Sequence, residues 1–257
     1  MAKNKLLSEK EYQRYIIDYL VEQNNYIERK NADFDRLFAM DREMLFKFLD
    51  MTQPDTMKAL RKVYKKDTEE TIVQVINNSC TSEKGSLIKV LKEGVDVGNG
   101  NYHLDLMYTK PATTFNKELT RKYEQNIFSV AEEVWANDEE RIDLVIFLNG
   151  LAIISFELKC NEAGQKYEDA ITQYRTQRDP KSRLFLFKAG TLVNFAMDLN
   201  EVHMCTRLEK EKTYFLPFNM GNGEGVDAGK GNPLRTDDYP VCYMWQDVLT
   251  KDSILEL

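Results

Sequence analysis

Residues 141–159 read Arg-Ile-Asp-Leu-Val-Ile-Phe-Leu-Asn-Gly-Leu-Ala-Ile-Ile-Ser-Phe-Glu-Leu-Lys. Two apolar runs rich in β-branched side chains flank Asn149-Gly150, a strong short-range hairpin signal. Three charges interrupt them: Asp143 in the first predicted strand, Glu157 and Lys159 in the second. Strand residues two apart share a face, so Glu157 and Lys159 point the same way. An acid and a base on an otherwise buried strand must be desolvated, paired or functional. Two carboxylates and a lysine converging at a sheet edge suit Mg²⁺ and a water activated for phosphodiester hydrolysis.

Face parity limits that reading. A plain two-residue Asn-Gly loop pairs Leu148 with Leu151 and sets Asp143 opposite Phe156, on the wrong face from Glu157. A three-residue loop, Leu148-Asn149-Gly150, pairs Phe147 with Leu151 and sets Asp143 opposite Ser155. Asp143, Ser155, Glu157 and Lys159 then share one face, with Gly150 taking the left-handed position. A shared metal site therefore demands a bulged hairpin, and the expected register is the three-residue one.

Outward from the hairpin, a helix is predicted from about Gln165 to Arg178, with Tyr167, Ala170, Ile171 and Tyr174 on its core face and Gln173 beside it. Further strands are expected at Leu184–Phe187, Leu192–Phe195 and Val202–Thr206, and upstream at Val95–Val97 and Tyr102–Tyr108 around the turn Gly98-Asn99-Gly100-Asn101. Tyr123–Trp135 fits either a strand pair or a strand with a frayed helix. The first third reads as helix. Ser8 with Glu11 forms a capping box before an apolar face of Tyr12, Ile16, Tyr19 and Leu20. A second helix spans Asp41–Leu49, Thr52-Gln53-Pro54 breaks it, and a third from Asp55 carries Met57, Leu60, Val63 and Tyr64. Its other side, Lys58, Arg61, Lys62 and Lys65, reads as a solvated face or a phosphate-tracking stripe. The glycine-rich stretch 221–231 is not a phosphate loop. Five residues before Gly229 stands Glu224, and Lys230 is followed by Gly231 where Ser or Thr is required.

The 257 residues, 42% hydrophobic and 30% charged, match an ordinary globular protein. No apolar run approaches the roughly 18 residues of a membrane span, and the N-terminus is too polar for a secretory signal. Cys80, Cys160, Cys205 and Cys242 form no Cys-x-x-Cys pair, so they read as reduced cytoplasmic thiols. With only His103 and His203, a zinc or histidine-metal nuclease is disfavoured. A net charge of −7 opposes a stand-alone DNA-binding protein and fits a cutting centre to which a larger machine delivers DNA.

Asp143 followed by Glu157-x-Lys159 resembles the PD-(D/E)xK nuclease superfamily. The text around it is more specific: Ile142–Gly150, Phe156–Lys159, Asp169–Arg175, Arg178-Asp179-Pro180, Phe195–Asp198, Phe215–Gly221 and Gly231-Asn232-Pro233, with Ser8–Tyr12 and Thr52-Gln53-Pro54 upstream. These resemble the nuclease segment of the restriction (R, motor) subunit of type I restriction-modification enzymes, across nearly the whole chain. The resemblance implies an α/β (α+β) restriction-endonuclease-like core, a mixed twisted sheet flanked by helices. Within a single nuclease domain, residues 1–94 would be a mainly helical lead-in, 95–206 the core and 207–257 a tail leading toward a helicase motor outside this chain. It further implies Mg²⁺, replaceable by Mn²⁺, held by Asp143, Glu157 and the Leu158 carbonyl, with Lys159 assisting the water or the transition state. Gln173 matches the glutamine of a Gln-x-x-x-Tyr helix motif, or is an exposed helix residue. The motif's tyrosine is replaced by Gln177, leaving Tyr174 or Arg178 as stand-ins. Glu9 or Glu11 would add an acid from the first helix, or simply cap it. The implied activity is cleavage of double-stranded DNA within a cytoplasmic defence complex containing methyltransferase and specificity subunits, with ATP used only by the motor. The alternative is a non-catalytic docking module between motor and methyltransferase, in which the charged cluster is merely structural.

Overall fold

The computed structural model describes residues 8–113, 115–160, 164–221, 223, 225–228 and 230–256. Its centre is the hairpin of β7 (Arg141–Leu148) and β8 (Leu151–Leu158), whose residues are buried on both faces apart from Arg141. Numbered along the chain, the preceding strands are β1 (Ile27–Arg29), β2 (Phe34–Asp35), β3 (Met40–Asp41), β4 (Val95–Val97), β5 (Tyr102–Leu104) and β6 (Phe128–Trp135). After the hairpin come β9 (Val193–Met197), β10 (Val202–Cys205) and β11 (Leu216–Pro217). The main sheet runs β1-β6-β7-β8-β9-β10-β11, and β3, paired with β2, lies against the start of β8. The pairs β1–β6 and β8–β9 are parallel and the others antiparallel, so the sheet is mixed, as expected. Strands β4 and β5 form a separate hairpin.

The hairpin register differs from the expected one. Leu148 pairs with Leu151 across a two-residue Asn149-Gly150 turn, and both turn residues have positive φ, 50° and 81°. This is the primed geometry that matches strand twist. The extra residue sits inside β8 instead: Phe147 pairs with Ala152 but Ile146 with Ile154, leaving Ile153 as a bulge. Ile153 and Ile154 both pack into the same apolar cluster. The bulge restores the parity a plain two-residue turn would lose, and it sets Asp143 opposite Glu157, not Ser155.

Helices cover both faces. On one side lie α1 (Glu9–Glu22), α2 (Arg42–Thr52), α3 (Pro54–Tyr64), α4 (Thr68–Thr81) and α5 (Leu87–Glu93), whose Tyr12, Leu45, Phe48, Leu60 and Ile72 share one apolar core with Leu144, Ile146 and Phe156 of the sheet. A short helix, α6 (Lys117–Glu124), leads into β6. The region 123–135, open between two readings in the sequence, is thus a helix end followed by one strand. On the other side α7 (Tyr167–Gln177) crosses from β8 to β9, the connection that a parallel pair requires. Its Ala170, Ile171 and Tyr174 pack on Val145, Phe147 and Ala196. Tyr167 is only half-buried and stacks on His203, 4.0 Å between ring centroids. The chain ends in α8 (Lys251–Leu255) after a π-helical turn at Met244–Val248.

Other local expectations are corrected. Leu184–Phe187 is a turn that buries Leu184 and Phe185 and exposes Phe187: Thr191 and Ala189 return N–H donors to Leu184 and Leu186, and a Cβ on Gly190 would meet the Leu184 carbonyl at 2.1 Å. Strand β5 stops at Leu104, beyond which the N–H groups of Asp105 and Tyr108 go to the side chains of Gln53 and Asn126. Val63 is exposed rather than inward. On the basic side of α3, Arg61 chelates Asp50 through both terminal nitrogens. Glu224 and Gly229 of the glycine-rich stretch lie outside the described residues.

Candidate active site

Because β7 and β8 are antiparallel, the start of one and the end of the other meet at the same end of the sheet. The pairing Leu144–Phe156 brings Asp143 next to Glu157, and Lys159 follows immediately. Beyond this pair the strands part, and the Asp143 carboxylate fills the gap: its Oδ2 accepts the Leu158 N–H at 2.7 Å. Helix α1 brings Glu9 from above, since the Ser8–Glu11 capping box fixes where the helix starts. Helix α7 ends at Arg178, which reaches back under the strands.

These side chains form two ion pairs. Arg178 Nε donates to Glu157 Oε1 at 2.7 Å and its Nη2 to the Arg141 carbonyl at 2.9 Å. Lys159 Nζ donates to Glu9 Oε2 at 3.1 Å and to its neighbour's carbonyl, Leu158 O, at 2.9 Å. Glu157 is fully buried, while Asp143 and Lys159 retain 6% exposure. Glu157 Oε2 has no hydrogen-bond partner. Burial pushes Asp143 up to about 6, against the pull of Lys159 and the Leu158 N–H. Burial first, then the charge of Asp143, pushes Glu157 up to about 8 despite Arg178. The two acids repel each other in a low-dielectric site with too little positive charge to hold both ionised. Chemically, the arrangement can retain a proton near neutral pH or accept a cation in its place.

The site opens into a polar cavity of about 430 Å³ lined by Glu9, Lys159, Gln165, Asp169, Thr172, Gln173 and Gln177. Gln173 thus faces the site, one helical turn from Gln177. Tyr174 does not: it is fully buried beneath the sheet against Ser155. Ser155 gives its only proton to Asn194 Oδ1, so the Tyr174 hydroxyl must donate to Ser155. Glu11 is occupied in the cap with Ser8. Of the residues singled out from sequence, Asp143, Glu157, Leu158, Lys159, Gln173, Arg178 and Glu9 come together, and Tyr174 supports them from the core.

Two contributors had no distinct signal in the sequence. Gln177 stood out only as the place where a tyrosine was missing. Glu133, in a stretch of undecided structure, lies on β6 between the pairs Glu132–Leu144 and Val134–Ile142, hence beside Asp143. It adopts φ of 55°, a left-handed conformation unusual for a non-glycine strand residue, and pairs with Arg141. Among the described residues no three His, Cys, Asp or Glu side chains are grouped to hold a metal ion. Any cation here would be held by Asp143 and Glu157 with backbone or solvent oxygen.

No curated protein sequence matches the chain. A family model described as the type I restriction enzyme R protein N terminus matches residues 7–213. The matched span runs from before Glu9 to beyond the crossover helix and includes every charged residue of the site. By that match, which covers well over half its length, the chain belongs to the family of type I restriction enzyme R protein N-terminal regions.

Proposed function

We propose that this domain is the DNA-cleaving centre of a type I restriction enzyme R subunit, a metal-dependent endonuclease with Asp143, Glu157 and Lys159 at its heart. The observation that carries this reading is the placement of Asp143 and Glu157 side by side, just past the last register pair Leu144–Phe156, with Lys159 lining the adjoining cavity. A divalent cation fits the residues present. Glu157 offers a buried, unpartnered oxygen, and both carboxylates are held up by burial and mutual repulsion that a dication would relieve. Asp143 and Glu157 would hold Mg²⁺ or Mn²⁺, joined by the Leu158 carbonyl once Lys159 releases it. When bound, the ion would supply Lewis acidity toward a phosphate oxygen and a more acidic water.

The chain's own residues divide the remaining work. Lys159 carries an ammonium that can stabilise charge developing on the attacked phosphate. Glu9 holds that ammonium in place, and Arg178 anchors Glu157 against the Arg141 backbone. Gln173 and Gln177 present carboxamides to the strand entering the cavity. DNA and the methyltransferase and specificity subunits are the partners this membership implies, in the cytoplasm where such complexes meet DNA. No described helix is long and apolar enough to cross a membrane.

Calorimetry of the fragment tests the assignment. Mn²⁺ should bind with heats that vary with the buffer's protonation enthalpy, because the raised carboxylates release protons on binding. The Asp143→Ala, Glu157→Ala double variant should show neither heat nor proton release, and unchanged heats would refute the ligand assignment. Plasmid nicking in Mg²⁺, compared with Glu157→Ala, tests the chemistry itself. A second reading, a docking module with a structural ion cluster, draws on one observation: Glu157–Arg178 and Lys159–Glu9 are already paired within the protein. It requires that neither metal binding nor cutting by the assembled enzyme depend on Asp143.

A further inference from the structure

A second cleft of about 320 Å³ is lined by Asn31, Ala32, Phe34, Arg36 and Trp135, and reaches the end of the sheet that carries the carboxylates through Trp135. Trp135 pairs in register with Arg141, two residues along β7 from Asp143. Two strand residues span about 6.7 Å, close to two 3.4 Å base steps of a nucleic-acid strand. A short hydrogen-bond relay also links it to the site: the Arg141 carbonyl accepts from Arg178, which holds Glu157. Phe34 packs on Phe147, with ring centroids 5.9 Å apart, placing the cleft on the α7 side of the sheet.

The chemistry is that of a base-stacking shelf. The half-buried Trp135 ring lies beneath the Arg141 guanidinium, 6.0 Å from the centroid. Arg36 brings a second cation to the cleft. Arg36 is paired with the exposed Asp138, whereas Arg141 meets a buried oxygen of Glu133. The exposed Arg36–Asp138 pair contributes little and yields readily to phosphate. An indole face with two guanidinium groups is the combination that recognises single-stranded nucleic acid, stacking a base while the cations follow the backbone. We propose that this cleft takes a nucleobase of the DNA strand whose phosphodiester is presented to Asp143 and Glu157, with Arg36 and Arg141 on the flanking phosphates. The proposal rests on the nuclease reading for its choice of DNA.

Tryptophan fluorescence tests it directly, because the chain has two tryptophans and the other, Trp245, is fully buried. The 257-residue protein is titrated in EDTA with an oligothymidylate of about 16 nucleotides. Quenching is expected, and it should vanish in Trp135→Phe, where only Trp245 emits. By anisotropy of a labelled oligonucleotide, Trp135→Ala should weaken binding about tenfold, as loss of one stacked base implies, while Trp135→Phe keeps most of the affinity. Circular dichroism and thermal unfolding confirm that both variants fold. Absence of quenching, quenching that survives Trp135→Phe, or unchanged affinity in Trp135→Ala overturns the proposal. Mn²⁺ calorimetry on the same preparations keeps the two ideas apart. Metal binding at Asp143 and Glu157 without Trp135 quenching removes the cleft alone, whereas quenching without metal binding removes the nuclease reading and leaves the cleft.

Discussion

Glu157 sets the conditions that its neighbours must meet, because a fully buried carboxylate is tolerable only when paired or protonated. Replacing Arg178 by Met removes the pair and leaves the acid stranded. At pH 9 this should destabilise the protein by about 3–5 kcal/mol, and at pH 5, where Glu157 holds its proton, by much less; urea melts at the two pH values give the comparison. The wild-type protein should itself lose stability as pH rises. Unfolded carboxylates titrate near 4, whereas burial holds Asp143 near 6 and Glu157 near 8. A folded state that binds protons more tightly than the unfolded chain is favoured at low pH. The contribution of these two groups therefore declines from about pH 4 to about pH 8 and is flat above. Asp143→Asn with Glu157→Gln should flatten that slope in thermal melts, and saturating Mn²⁺ should do the same if the ion binds there. Lys159 bonds Glu9 rather than Glu157, so the direct partner of Glu157 is Arg178, and the lysine acts on it only through its charge. Lys159→Ala should reduce cleavage by the assembled enzyme about a hundredfold while leaving its translocation along DNA near wild type. Near-normal cutting would take Lys159 out of the catalytic set.

At the scale of elements, the β7–β8 hairpin decides whether the site exists. Its turn is tightly confined: a Cβ on Gly150 would lie 2.3 Å from the Asp41 carbonyl and 2.6 Å from the Leu45 nitrogen. With φ of 81° as well, Gly150→Ala should be destabilising beyond the about 1 kcal/mol of an ordinary left-handed glycine. Denaturant midpoints measure it. Asn149 is equally committed, its amide bridging Ile127, Leu106 and Asn126. The sequence carried the turn, the alternation of the strands and the need for one extra residue, because each follows from local chemistry and side-chain parity. It did not say where that residue goes. A bulge at Ile153 is set by what lies alongside β8: β3 pairs with its beginning and β9 with the strand from Ile154 onward. The same limit applies to Arg178. Its residue type could be singled out beforehand, but its pairing with Glu157 depends on where α7 ends relative to a strand twenty residues earlier. Glu133 was illegible because the left-handed kink that carries it breaks the period-two pattern by which a strand is read.

Across the whole molecule, α1 is held from two sides. One face meets the sheet; the other receives Tyr239 and Trp245, which make edge-on contacts with Tyr12 and Tyr15. Tyr26 and Asn24, just after the helix, donate to the Leu249 carbonyl. Removing residues after 213, the end of the family match, strips one side of α1. Such a truncation should lower the melting temperature and loosen the Glu9–Lys159 contact, seen as faster amide exchange in the first turns of α1. A milder probe is Trp245→Ala, expected to destabilise by about 3–5 kcal/mol as a large buried aromatic is lost. The double clamp has a consequence for the timing of assembly. A ribosome makes Lys159 about 90 residues before Leu249, an interval of about 5–20 s at typical elongation rates. During that interval the carboxylates and the lysine have been synthesised, but the helix bearing Glu9 still lacks its outer support. The Glu9–Lys159 contact is thereby left without the outer support of its helix until Tyr239, Trp245 and Leu249 have emerged and docked.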